Sequence, residues 1–358
     1  MAGLLYGASY DSTTHTVSLT DKAGNVIYSF VVNITPPQIV DDPTKPLYLR
    51  SLANGSTVFM DGSSSYVDDS TFESSTDGTT WTDLHLGSAN AITLNWGQGV
   101  YIRAKVARTV FPTSGSTVPC YIGMTGTIEA YHNVYSVLSP NFASISDLNT
   151  VGSYCLQALF SPGTTSDTST ARNTALTKAP LLPATTLSNY CYSGMFLFCT
   201  ALHTPPQMPA TTLAAHCCNN MFNQSGLTVA PTLPATTAAS YCYNRMFKGC
   251  ALTEPPSLPA TTLSSYCYRY MFETCTALTK TPLLPATTLS NNCYQSMFKG
   301  CSSLAEVRIA ATTISASNAL SNWLDGVAAT GDFYCDPNTT YPTGASGCPD
   351  NWTIHALS

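Results

Sequence analysis

The chain has 358 residues, of which 44% are apolar and only 9% charged, with a formal net charge of −6. That balance excludes a disordered chain, which needs low hydrophobicity and high charge, and it leaves room for several domains and a sizeable core. The 14 Lys and Arg residues are spread along the chain, so no nucleic-acid partner is expected, because such partners need clustered cations.

In chain order, Met1-Ala2-Gly3-Leu4-Leu5-Tyr6-Gly7 lacks a basic n-region and its apolar run stops early, so no secretory signal is expected. No apolar segment has the length of a membrane span, so no membrane insertion is expected either. Residues 1–43 read as an N-terminal β anchoring segment and linker. His15–Thr20 and Val26–Val32 alternate or run apolar around the turn residues Lys22-Ala23-Gly24-Asn25, which predicts a hairpin. A lone hairpin is marginal in water, so this one is expected to pair with another domain or chain. Pro36-Pro37 and Asp41-Asp42-Pro43 interrupt any strand and read as the linker.

Residues 44–146 predict a β-sandwich, Ig-like or jelly-roll-like, with strands at 47–52, 56–60, 71–74, 80–84, 91–94, 100–106 and 121–129. The clearest hairpin is the one around Asp77-Gly78. Trp81 and Trp96 are expected to plug the sandwich core, the other reading being a sugar-stacking platform.

Residues 147–330 carry one recurring phrase. Its first full copy reads Leu182-Pro183-Ala184-Thr185-Thr186-Leu187, Tyr190-Cys191-Tyr192, Met195-Phe196, Cys199, Leu202 and Pro206. The anchoring prolines are Pro183, Pro209, Pro234, Pro259 and Pro285, giving steps of 26, 25, 25 and 26 residues, and such a period marks a solenoid. Each coil holds too few apolar residues to close a core alone, so stability must come from stacking. The columns Leu176/Leu202/Leu227/Leu252/Leu278/Leu304 and Leu182/Met208/Leu233/Leu258/Leu284 should point inward, with a short parallel strand after the first. Pro180, Pro206, Pro231, Pro256 and Pro282 then stop the ladder. Cys, Met and Phe spaced by four and five predict one or two helical turns on the opposite side. Tyr154–Phe160 reads as a degenerate first coil followed by an insertion at 161–174, and residues 331–358 as the C-terminal cap. The fold class is therefore mixed β and α/β.

These phrases resemble the BspA-like leucine-rich repeat, over residues 152–358, in its variant with L-P-A-T-T-L and C-Y-x-x-M-F coils. The resemblance implies a family of surface proteins of gut Bacteroidetes and of phages that infect them, with adhesion or recognition and no catalysis.

Eleven of the 14 cysteines fall in the repeat, nearly all in two columns, which predicts buried free thiols filling core space. Whether Cys335 and Cys348 are paired is left open. His216-Cys217-Cys218 lacks a companion at metal-ligand spacing, so no metal and no cofactor are expected. Glu254, Glu273 and Glu306 lie in different coils and make no glycosidase pair. What remains for binding is the variable skin: Arg245, Arg269 and Tyr270 on the return side, with Lys178, Glu254 and Lys280 on the strand side. Arg and Tyr are the types enriched at contact centres. The expected function is a non-catalytic virion fibre, decoration or receptor-binding component, assembled in the host cytoplasm. It would be mounted on other virion proteins through residues 1–43 and recognise a bacterial surface glycan or protein. The alternative is a bacterial cell-surface adhesin with its signal removed. A trimer fits the symmetric habit of fibres.

Overall fold

The computed structural model describes residues 7–11, 16–31, 36–113, 118, 120–162 and 171–357. At the N-terminus three strands form where a hairpin was expected: β1 (Gly7–Asp11), β2 (Thr16–Thr20) and β3 (Val26–Val31), antiparallel in that order. The turn is the expected one, with Gly24 at φ 86° and its amide donating to the Asp21 carbonyl at 3.0 Å. β1 carries no apolar signal, because Gly, Ala and Ser make up its first half. His15 and Val32, expected at strand ends, lie outside the described residues, as do 163–170 of the expected insertion.

The proline-rich stretch after β3 forms no ladder, yet side chains pin it. Arg50 Nη1 donates to the Pro37 carbonyl at 2.6 Å. Asp41 accepts from the His132 amide at 2.8 Å and from Lys178 Nζ at 2.7 Å.

Beyond it lie β4 (Leu47–Ser51), β5 (Ser56–Asp61), β6 (Phe72–Ser75), β7 (Thr82–Asp83), β8 (Ile92–Leu94), β9 (Gly99–Ala104), β10 (Tyr121–Met124) and β11 (Ile128–Tyr131). They make a three-stranded sheet, β10-β5-β8, and most of a six-stranded one, β11-β4-β9-β6-β7 plus β12 (Leu176–Lys178) at its edge. Leu47, Leu49, Val58, Met60, Phe72, Val100, Ile102 and Ile122 fill the space between them. The expected hairpin at Asp77-Gly78 joins β6 to β7. The strand expected at 121–129 divides, because Gly126 at φ 80° turns the chain from one sheet into the other. Neither Trp81 nor Trp96 enters the core; both are half-buried, and Trp81 lies under the Arg103 guanidinium at 3.8 Å.

The sandwich runs into the solenoid through backbone pairing. β12 pairs parallel with β11. The amides of Tyr154, Leu156, Ala158 and Phe160 donate to the carbonyls of Asn189, Cys191, Ser193 and Met195. Residues 128–160 thus act as the coil beneath 176–199. The rest of the array adds β13 (Thr237–Ala238), β14 (Thr262–Leu263), β15 (Lys280–Leu284), β16 (Glu306–Ile309), β17 (Asp332–Cys335) and β18 (Thr353–Ala356). β15 to β18 form one parallel sheet. Directly after β12, the strand side thins to an isolated bridge at Lys178–Thr204, since the neighbouring prolines have no amide to give. The proline segment still alternates like a strand: Pro206, Met208 and Ala210 are buried while Gln207, Pro209 and Thr211 are exposed.

The return side corrects the expectation of helix, and with it the α/β class: the chain is nearly all β. Two hydrogen-bond series interleave there. In the coil at 214–225, the amides of His216, Cys218, Asn220, Phe222 and Gln224 donate to carbonyls of the next coil, at Ser240, Cys242, Asn244, Met246 and Lys248. The amides between them, of Cys217, Asn219, Met221, Asn223 and Ser225, donate to the residue three positions back. His216, Asn220 and Gln224 have φ of 58°, 57° and 53°. A residue with positive φ in the third place of an i to i+3 bond defines a type II turn, so the segment is a chain of overlapping β-turns. The turns place residues in and out in pairs: Cys217, Cys218, Met221 and Phe222 face the core at 0% exposure. Such pairs repeat every four residues and mimic a helix in the sequence.

Coils approach closely at Gly226, whose added Cβ would stand 2.2 Å from the Thr200 carbonyl oxygen. Gly226→Ala is expected to lower unfolding free energy by about 1 to 3 kcal/mol, the range for an inserted group that forces the backbone to shift. An unchanged denaturant midpoint would contradict the stacking geometry.

Candidate functional site

Stacked coils repeat equivalent residues at the spacing of hydrogen-bonded strands, about 4.8 Å. On the return side this lines up the first left-handed position of each coil. Tyr154, Tyr190, His216, Tyr241 and Tyr266 stack in one row, with centroids 4.5, 4.3, 4.4 and 4.4 Å apart and planes within 11°. Near-parallel rings at this separation suit the offset stacking that aromatic side chains prefer, and the coil spacing sets the interval. Inside, Phe160, Phe196, Phe222, Phe247, Phe272 and Phe298 make a second, buried row at 5.3 to 5.7 Å. Burial lowers the His216 pKa below its ordinary 6.5.

The outer row ends against the residues expected from sequence to bind. Arg245 and Tyr270 occupy the same left-handed position in successive coils, at φ 55° and 56°. The Arg245 guanidinium lies 4.9 Å from the Tyr270 ring, and that of Arg269 lies 4.5 Å from Tyr270 and 5.5 Å from Tyr266. Arg269 Nη2 also donates to the Tyr270 hydroxyl at 3.1 Å. Beside them Lys248 and Glu273 pair at 3.0 Å. The neighbouring column is amide-rich: Asn244 Nδ2 donates to Asn219 Oδ1 at 2.7 Å.

The strand-side candidates stand apart from this cluster. Lys178 is held by Asp41, the Ala130 carbonyl at 3.2 Å and the Tyr131 ring at 4.0 Å, and so fastens the proline-rich stretch to the first coil. Lys280 and Glu254 pair with each other at 3.1 Å on an exposed surface, where such a pair adds little. Tyr266 and the ring row were not singled out by sequence, although Tyr, His, Tyr and Tyr recur there at the repeat period.

All cysteines are free and buried, Cys335 and Cys348 included. Burial pushes the thiols of Cys155 and Cys301 up to about 12, and those of Cys250 and Cys293 to about 11. The second column does more than fill space. Cys199, Cys250, Cys275 and Cys301 donate S–H to the carbonyls of Phe160, Phe222, Phe247 and Phe272 at 3.0 to 3.2 Å. His216 points into the outer row while Cys217 and Cys218 are in the core, so the three are not assembled as ligands. Among the described residues, no group of three or more His, Cys, Asp or Glu is placed to hold a metal ion. No family profile, curated protein or solved structure matches this chain.

A thiol reagent at pH 8 is expected to leave the native protein untouched and to titrate up to 14 thiols after unfolding; rapid native labelling would contradict the buried columns. The His216 pKa also sets a sign. With the folded value below 6.5, the unfolded state takes up the proton first, so stability from this site is present above 6.5 and is lost as pH falls through the folded value. His216→Tyr, the residue found in neighbouring coils, removes that loss. The stability advantage of the variant should therefore widen below pH 6.5; a pH-independent difference in denaturant titrations would contradict it.

Proposed function

We propose that the protein is a non-catalytic recognition component whose solenoid presents its return side to a ligand on a bacterial surface. The observation that carries this reading is the cluster of Arg245, Arg269, Tyr266 and Tyr270 at the end of the outer ring row. Arg and Tyr are enriched at contact centres, Tyr supplies contact area with few rotamers to freeze, and here the turn ladder fixes their backbone. The repeat phrases support a BspA-like leucine-rich-repeat identity for the array.

The N-terminal sheet supplies the mounting. Ala8, Leu19 and Tyr28 align across its strands, as Val17 aligns with Phe30. On β3, Val26, Ile27, Tyr28 and Val31 are 50 to 68% exposed. An apolar strand left in water favours a partner, in this reading a protein of a larger particle. Free thiols throughout suit assembly in a reducing compartment, and the particle is taken to be a virion, carrying the chain as a fibre, decoration or receptor-binding subunit.

The test uses the full chain against immobilised bacterial surface glycans and proteins, read by interferometry. Saturable binding is expected, with no ligand turnover. Tyr270→Ala, which removes the platform under both guanidiniums, should weaken it by about 1 to 2 kcal/mol. Absent binding, or a consumed ligand, would refute the reading.

A further inference from the structure

On the same face, the buried polar atoms without a hydrogen-bond partner among the described residues include one of Asn244 and one of Arg269. Asn244 is 5% exposed, and among the described residues its Oδ1 accepts no hydrogen bond and Arg269 Nε donates none. They occupy one column in successive coils, the column in which Asn219 and Asn244 already join side chains at 2.7 Å. An acceptor and a charged donor therefore sit side by side without satisfying each other. Unmatched buried polar atoms cost about 1 to 3 kcal/mol each, so a pair of them in one column calls for a physical reason. Among the described residues no carboxylate lies within ion-pair distance of Arg269, whose contacts are the Tyr266 and Tyr270 rings and the Tyr270 hydroxyl.

Resting on the recognition reading above, we infer that this face binds an acidic polysaccharide whose sugars carry a carboxylate next to a hydroxyl, as in uronic acids. The carboxylate meets the guanidinium fork of Arg269, with Arg245 beside it on Tyr270. Planar guanidiniums match carboxylates in two-point contacts. The adjacent hydroxyl donates to Asn244 Oδ1, which a bare anion cannot do. As the side chains stand, both atoms are closed to solvent, so binding turns both side chains outward, at the loss of the Arg269 bond to the Tyr270 hydroxyl and of the Asn244 bond to Asn219.

The surrounding chemistry favours a sugar over a protein. Among the described residues, none of the large apolar side chains exposed on this molecule lies on this face, whereas the buried centre of a protein interface is more apolar than the surface around it. The face offers amides and ring edges in rows, suited to a chain of hydroxyls repeating along one direction. The surrounding negative charge of the molecule, −6 overall, would repel an acidic polymer elsewhere and confine it to this patch.

Calorimetry on the full chain would compare oligomers of galacturonate, guluronate and glucuronate with neutral galactan, dextran sulfate and poly-L-glutamate. At least one uronate is expected to bind, and the neutral, sulfated and peptide polymers to bind roughly tenfold or more weaker, the factor for one charge-assisted hydrogen bond. Arg269→Gln should lose about the same factor, and Arg269→Lys, which keeps the charge but not the fork, should recover only part. Asn244→Ala should lower uronate affinity while leaving the weak binding of dextran sulfate unchanged. Thermal melts of each variant separate lost binding from lost folding. Tight binding of neutral galactan that Tyr270→Ala abolishes would overturn this inference and leave the recognition reading standing. Equal binding of poly-L-glutamate or dextran sulfate would overturn it in favour of simple charge attraction. Binding to none of the polymers, or uronate affinity unchanged in folded Arg269→Gln, would also overturn it.

Discussion

Every second amide on the return side of a coil reaches the next coil, and every other one closes a turn on its own coil. This double series is the constraint on which the rest depends. It satisfies backbone groups that burial would otherwise leave unpaired, and it locks successive coils in register along the array. Its requirement is a left-handed residue every fourth position, at a cost of about 1 to 2 kcal/mol wherever the residue is not glycine. Tyr, His, Arg and Asn accept that conformation here because the inter-coil bonds and ring rows return more than it costs.

The period, the Leu columns, the buried cysteines and the Asp77-Gly78 hairpin are all legible in residue spacing alone. The return side is not, for a physical reason: paired inward residues such as Cys217-Cys218 and Met221-Phe222 recur every four positions, and a helical face recurs nearly so. The deciding signal lies in the same segments. Asn318, Asn322 and Gly326, or Asn292, Ser296 and Gly300, place residues tolerant of positive φ at that interval, and a helix has no use for them there. β1 lacks large apolar residues in its first half, and the pinning of residues 36–43 rests on long-range contacts, such as Lys178 with Asp41, which no local pattern reports.

The division between core and skin also assigns the functional surface. Residues rich in chemistry by type, the thiols and phenols, are mostly consumed by packing: Tyr192, Tyr268 and Tyr294 are fully buried. Arg245, Arg269 and Tyr270 come together because neighbouring positions in the turn ladder, one coil apart, are adjacent in space. Lys178 shows the converse, since a variable charged position in the same array serves as a structural tie. The missing signal for Tyr266 and Asn244 is their neighbours one coil away, visible only once the coils are stacked.

The turn ladder can be observed directly through scalar couplings across hydrogen bonds in deuterated, isotope-labelled protein. Couplings are predicted from the amide nitrogens of Cys218, Asn220 and Phe222 to the carbonyl carbons of Cys242, Asn244 and Met246 in the next coil. Couplings from those amides to carbonyls four residues back within the same coil, the pattern of an α-helix, would contradict the ladder and the surface built on it.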